Sequence, residues 1–258
     1  TDALASFESA IAIKPDYAEA HSSRGVIFLK LGFVDEALDC FEKAISINPN
    51  YAEAHSNKGF TLHQLNRLEE ALPSYDRAVA IRPDYADAYW NKSLTLLLLG
   101  NLAQGWKFYE WRWKKKNFSS PKRQFSKPLW LGTESIKGKT ILLHAEQGLG
   151  DTIQFCRYSK LVKELGARVV LEVPKALMGL LNGVEWVDEL IEVGKFQGVF
   201  DYHCPLLSLP LAFNTELNSI PSPVPYLTSS HEKYQEWSKR LGTKNLLRIG
   251  LVWSGSTT

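Results

Sequence analysis

Apolar and small positions in the first part of the chain recur at helical spacing, and the whole pattern then repeats at a longer fixed interval. Gly25 and Gly59, Ala37 and Ala71, Ala44 and Ala78, and the large rings of Phe41, Tyr75 and Tyr109 each stand 34 residues apart. Pro15, Pro49 and Pro83 keep the same interval, as do Tyr17, Tyr51 and Tyr85, inside a motif of the form P-[DN]-Y-A-[DE]-A. Such a period predicts helix pairs stacked as a solenoid, because one pair cannot bury its apolar face alone. Beyond residue 118 the pattern changes. A stretch rich in Ser, Pro, Lys and Gly over 119–139 reads as a linker. Over 140–258, strand-like runs (TILLH, ARVVLEV, DELIEV, FDYH, LLRIGLVWSG) alternate with helical ones (TIQFCRYSKLVKELG, PKALMGLLN, HEKYQEWSKRLG). That alternation predicts a mainly parallel, doubly wound sheet.

Ligands of such sheets gather at the carboxyl ends of the strands. The predicted rim is therefore 146–151, 172–175, 203–208 and 254–256, and its sharpest part is ILLHAEQGLGDTIQFCRY, residues 141–158. There an apolar strand enters a glycine-bearing turn and then an amphipathic helix. Gly148 and Gly150 are expected to let the backbone approach a ligand, with Asp151 at the helix N-cap. Gln147 and the backbone N–H groups of Leu149 and Gly150 could bind a phosphate or a hydroxyl, which would make the turn an anion nest, and Glu146 is a further substrate-binding candidate on the same rim. His203, following a later strand, and Ser254 are further rim candidates, with a buried, hydrogen-bonded histidine as the alternative for His203, whereas His144 lies inside an apolar strand and reads as structural. Gly148, Gly150 and Glu172 suggest a dinucleotide fingerprint, but Ile153 stands where the third glycine is needed for close helix packing.

The repeats resemble the tetratricopeptide repeat over residues 1–118: half a repeat, two full ones and a degenerate third. Ser93, Gly105, Arg112 and Asn117 depart from the pattern in the third, as a terminal cap does. Its last helix, GWKFYEWRWKKK, is aromatic on several sides, so Trp106, Tyr109, Trp111 and Trp113 are expected to pack on a following domain. Solenoids of this kind bind extended protein or peptide segments on a concave face. Ser23, Asn57 and Asn91 fall one repeat apart there, and a column of amides can both donate to and accept from a peptide backbone. In this the chain resembles the superhelix of O-GlcNAc transferase. Solvated helix residues are the alternative for that column. The basic residues Lys114, Lys115, Lys116, Lys122 and Arg123 are read as a helix C-terminus favouring cations, not as a nucleic-acid surface.

GWKFYEWRW, WLG, GKTILLHAEQGLGDTIQFCRY, FDYHCPLLSLP, PYL and RIGLVWSGS together resemble tetratricopeptide-linked bacterial glycosyltransferases, relatives of the heptosyltransferases. The resemblance implies an all-α solenoid followed by an α/β Rossmann-like domain with a mainly parallel sheet, the N-terminal, acceptor-side half of a GT-B fold. It implies a nucleotide-sugar donor held mostly by a second lobe outside these residues, so the stretch 1–258 is expected to be inactive alone. By carry-over from the Gly-Asp pair of that family, Asp151 would be the general base; a helix cap is the alternative. No D-x-D triplet or carboxylate cluster for a metal is present, and no cofactor is expected in this chain. The rival reading is a non-catalytic interaction scaffold.

Composition adds limits. The chain has 258 residues, 45% hydrophobic, with a formal charge of +2, which gives no global case for nucleic acid. Cys40, Cys156 and Cys204 are far apart and in apolar contexts, which suggests neither a metal site nor a disulfide framework and fits a reducing cytoplasm. No run is long enough for a membrane span. Thr1 opens inside a helical pattern, so the sequence reads as a fragment whose exposed solenoid end could self-associate.

Overall fold

The computed structural model describes residues 2–120, 122–222, 225–229 and 231–243. The run LLRIGLVWSG and Ser254 lie outside the described residues. In the first part, helices adjacent in sequence pack as hairpins. Helix α1 (Asp2–Ile13) precedes the pairs α2 (Ala18–Leu31) with α3 (Val34–Ile47), α4 (Ala52–Gln64) with α5 (Leu68–Ile81), and α6 (Ala86–Leu98) with α7 (Leu102–Tyr109). The first helices α2, α4 and α6 also touch in series, forming one inner layer.

Local chemistry repeats with the period. Each first helix ends at a left-handed residue, Gly32 (φ 82°), Asn66 (φ 57°) or Gly100 (φ 78°). The next N–H then closes the last turn, Phe33 to the Phe28 carbonyl, Arg67 to Leu62 and Asn101 to Leu96, each at 2.9 Å. His21 and His55 bond the carbonyls of Pro15 and Pro49 at 2.9 and 3.0 Å, tying each helix start to the preceding turn. The predicted close crossings are present. A Cβ on Gly25 would lie 2.8 Å from the Phe41 ring, and one on Gly59 would lie 2.7 Å from Tyr75.

The second part holds a four-stranded sheet in the order β3-β2-β1-β4, all neighbours parallel. Its strands are β1 (Thr140–His144), β2 (Arg168–Val173), β3 (Glu189–Glu192) and β4 (Tyr202–Pro205). Between them run α8 (Leu149–Phe155), α9 (Ser159–Glu164) and α10 (Met178–Leu181), followed by α11 (Leu209–Ala212) and α12 (His231–Leu241). Strand side chains alternate between faces. Ile141, Leu143, Val169, Leu171, Val173 and Cys204 join Phe155, Val162, Leu181 and Leu209 in one core, so the helices cover that face.

The opposite face departs from the doubly wound expectation. It carries Leu142 and Val170 but also His144, Glu172 and His203, and among the described residues it is crossed by Arg123, Phe125 and Phe200 instead of a helix. The stretch expected as a linker is likewise packed structure. Trp130 and Ile136 are 1% and 2% exposed, and the Trp130 backbone N–H donates to the His203 carbonyl at 2.9 Å along the outer side of β4. Gly132 has φ 91°, and a Cβ there would stand 2.0 Å from the Ala212 carbonyl oxygen. The apolar run LLSLPLA, which the strand–helix reading passed over, forms the buried turn into α11.

Gly132→Ala is therefore expected to destabilise the α/β part by about 3 kcal/mol, from combined backbone strain and overpacking. Gly150→Ala, with open space around it, should change stability by less than about 0.5 kcal/mol. Urea unfolding of the two variants checks the contrast.

Candidate functional site

The strand order reverses at β1, with β2 on one side and β4 on the other, so the carboxyl ends of β1 and β4 flank the topological switch point. Into this place the end of the solenoid inserts a guanidinium. Arg112, from the 3-10 turn Glu110–Lys114 after α7, has no exposed surface. Its Nε and Nη2 donate to the two carboxylate oxygens of Glu146 at 3.1 and 2.7 Å. Nη1 donates to Glu110 at 2.6 Å, and Nη2 also reaches Ser208 Oγ at 2.8 Å. Ser208 in turn donates to Glu110 at 2.7 Å. Glu146 follows β1 and Ser208 follows β4, so one side chain of the repeats clamps both halves of the switch point.

This corrects the expected role of Glu146. It is 6% exposed and both of its carboxylate oxygens accept from Arg112, so its side chain holds the turn. Burial raises its carboxyl, and Arg112 opposes that shift. Gln147 is also used internally: its N–H donates to Ser120 at 2.8 Å and its side-chain amide to the Tyr109 hydroxyl at 2.7 Å. Burial pushes that hydroxyl up to about 12. The left-handed residue of the turn is Gln147, at φ 60°, whereas Gly148 has φ −84° and Gly150 an open surrounding. Neither glycine needs a left-handed backbone here, and the space beyond Gly150 is open.

Asp151 is not the N-cap. Helix α8 begins at Leu149, Gly148 caps it, and Asp151 sits three residues on, where its Oδ2 accepts from the Gly148 N–H at 3.0 Å. A glycine has no side chain to cap with, so only this half of a capping box forms. Asp151 is half-buried and Leu149 is 46% exposed, so both remain accessible at the rim.

His203 lies within β4, one strand position short of Cys204, not beyond the strand. Its Nδ1 faces His144 Nε2 at 3.3 Å, and the Phe125 ring covers both imidazoles. Burial, with Arg123 nearby, pushes His144 down to about 3 and His203 to about 4. Both are neutral at pH 7. Glu172, 1% exposed, pairs with Arg123 and accepts from the Gly194 N–H at 2.9 Å, which leaves no ribose-binding acid. Beside these groups a cleft of about 240 Å³ opens at the ends of β1 and β2, lined by Trp113, Ser120, Arg123, His144 and Gln147. No cluster of three metal-ligating side chains occurs among the described residues.

In the repeats, Ser23, Asn57 and Asn91 occupy equivalent half-buried positions on α2, α4 and α6. Of the aromatic cap, Trp106 meets Phe155 edge-on at 5.6 Å and Tyr109 is buried in the α/β core. Trp111 instead stacks on Tyr89 of its own repeat at 3.9 Å, and Trp113 packs on Phe118. Lys115 pairs with Asp87 and Lys114 lies over Trp111, so part of the basic run is spent within the cap. The residue whose role the sequence reading missed is Arg112. Its signal was a long cation where the repeat pattern calls for alanine.

The first hundred residues are tetratricopeptide repeats. A profile described as TPR repeat matches residues 1–32 and 61–100, and two described as tetratricopeptide repeat match 18–51 and 40–72. Among solved structures the chain is similar to MamA, at 21% identity and TM-score 0.40 over 42% of this chain, and it spans 63% of the length of MamA. It is similar to YrrB, described as a TPR protein with an unusual peptide-binding site, at 24% identity and TM-score 0.38, over 42% of this chain and 56% of that one. It is also similar to the first TPR of Spaghetti (RPAP3), bound to an HSP90 peptide, at 26% identity and TM-score 0.36, over 36% and 75%. No curated protein matches. No described helix is long and apolar enough to cross a membrane.

Two outcomes follow from this geometry. Arg112→Ala leaves Glu146 buried without its cation and should cost about 3 to 5 kcal/mol in urea unfolding; a loss below about 1 kcal/mol would contradict the clamp. The two histidines have folded pKa values below the ordinary 6.5. Their contribution is present above that value and lost as pH falls toward about 4, because only the unfolded chain takes up the protons. Stability measured from pH 7 to 4.5 should fall less steeply in His203→Gln than in the parent.

Proposed function

We propose that this chain is the acceptor-side part of a tetratricopeptide-guided glycosyltransferase of the GT-B fold, with the α/β part as its Rossmann-like N-terminal domain over about 140–258. The observation that carries the reading is Asp151, accessible at the first turn of α8 on the carboxyl rim of a parallel sheet whose order reverses beside it. The repeats would present a protein or peptide acceptor, and a second lobe would hold the nucleotide sugar without a metal.

The chemistry needs one base. As the acceptor hydroxyl oxygen attacks the anomeric carbon, its proton passes to the Asp151 carboxylate, and the bond to the nucleotide diphosphate breaks with the electron pair leaving on phosphate. The Gly148 N–H holds Asp151 Oδ2, which fixes the carboxylate and leaves its second oxygen for the proton. The first-turn N–H groups of Leu149 and Gly150 face the developing anion at a helix start. Attack opposite the leaving group inverts the anomeric centre.

One observation favours a scaffold instead: Arg112 fills the crevice between the ends of β1 and β4 with an internal ion pair. Two measurements on the longer protein containing both lobes separate the readings. The glycosyltransferase binds one of a panel of nucleotide sugars by calorimetry, and Asp151→Asn lowers its kcat by at least about a hundredfold with donor binding kept. Unchanged turnover in Asp151→Asn removes the base assignment, and absence of any nucleotide-sugar binding favours the scaffold.

A further inference from the structure

The three inner helices expose a regular grid. On α6 the residues Asp87, Asn91, Leu94 and Leu98 advance by four, three and four positions, which keeps them within about 60° of one another on the helix surface. The same face of α4 carries Glu53, Asn57, Phe60 and Gln64, and that of α2 carries Glu19, Ser23, Val26 and Lys30. Because α2, α4 and α6 lie side by side, these residues form rows across the layer. One row is carboxylate, the next is Ser or Asn, and the third is apolar. Leu94 and Leu98 are 37% and 63% exposed, and Val26 and Phe60 are half-buried.

The rows have a spacing. At 1.5 Å per residue the carboxylate row lies about 6 Å to one side of the amide row and the apolar row about 4.5 Å to the other. Successive helices in contact stand about 8 to 10 Å apart. A polyproline II chain advances about 9.3 Å per three-residue turn, so its register matches the helices, whereas a flat strand repeats its side chains every two residues.

Resting on the reading that the repeats bind peptide, we propose that this face selects an extended segment of three-residue period: one apolar residue, one basic residue and one free position per repeat. Its backbone lies on Ser23, Asn57 and Asn91, its apolar side chains sit on Val26, Phe60 and Leu94, and its cations face Glu19, Glu53 and Asp87. Glu53 and Asp87 are already paired with Arg82 and Lys115, with carboxylate side chains 42% and 58% exposed. Exposed pairs of this kind are weak and open to exchange with an incoming cation. Selection by the apolar row is accordingly the stronger of the two, and an acidic residue at the basic position is repelled.

Three labelled nonapeptides test this by fluorescence anisotropy with the whole chain: three Leu-Lys-Pro triplets, the same residues reordered so that leucines alternate every second position, and three Leu-Glu-Pro triplets. The first should bind at least about tenfold tighter than the others, the worth of one well-placed apolar group. Leu94→Lys, or Phe60→Lys in the neighbouring repeat, should remove that preference, while Asn57→Ala with Asn91→Ala weakens every peptide. Equal binding of the ordered and reordered peptides, still weakened by the double asparagine variant, overturns the three-residue period and leaves peptide binding standing. No binding of any peptide overturns both.

Discussion

A guanidinium with no exposed surface must be matched on every side, and Arg112 is matched by Glu146, Glu110 and Ser208. Removing one partner would strand a charge in a low-dielectric interior, so these groups stay together or the local packing opens. The consequence reaches well beyond the ion pair. Glu146 fixes the exit of β1, Ser208 the exit of β4, and Glu110 the end of the solenoid. The βα turn that presents Asp151 is therefore positioned by the repeats as much as by its own sheet.

The cap around this clamp explains why the third repeat abandons the pattern. Gly105 lets α7 close on α6, where a Cβ would lie 2.6 Å from Leu97. Tyr89 takes the place that His21 and His55 hold in earlier repeats, and it stacks beneath Trp111 instead of bonding a proline carbonyl. Trp106 and Tyr109 then turn into the α/β core. A surface that would otherwise receive another repeat is converted into an interface, with a buried cation at its centre.

The rest of the candidate site is built from groups that satisfy one another. The paired imidazoles of His144 and His203, under Phe125, stay neutral because burial and Arg123 both disfavour the charged ring. Glu172 is consumed by Arg123 and a backbone N–H. Among the described residues, Asp151, the exposed backbone of Gly148 to Gly150 and the cleft beside Trp113 and Ser120 remain accessible at the rim. Polar residues at strand ends thus divide into those that hold the rim and those that face outward, and their type alone does not tell which is which.

The repeat half was written almost completely in the sequence, because each helix pair meets only its neighbours and the packing rules recur every 34 residues. Gly25, Gly59, Phe41 and Tyr75 could be placed by period alone, and the parallel strands alternating with helices over 140–205 were legible from the runs of apolar residues. The capping of α8 was misplaced by three residues, since strand-to-helix turns give no period from which to count. Only tertiary structure decided that Glu146 would face Arg112, 34 residues earlier in the chain, or that Trp130 would enter the α/β core from a stretch composed like a linker. Composition records which residues tolerate water. It does not record which buried charge will find which partner, because that depends on two separate elements arriving at one place.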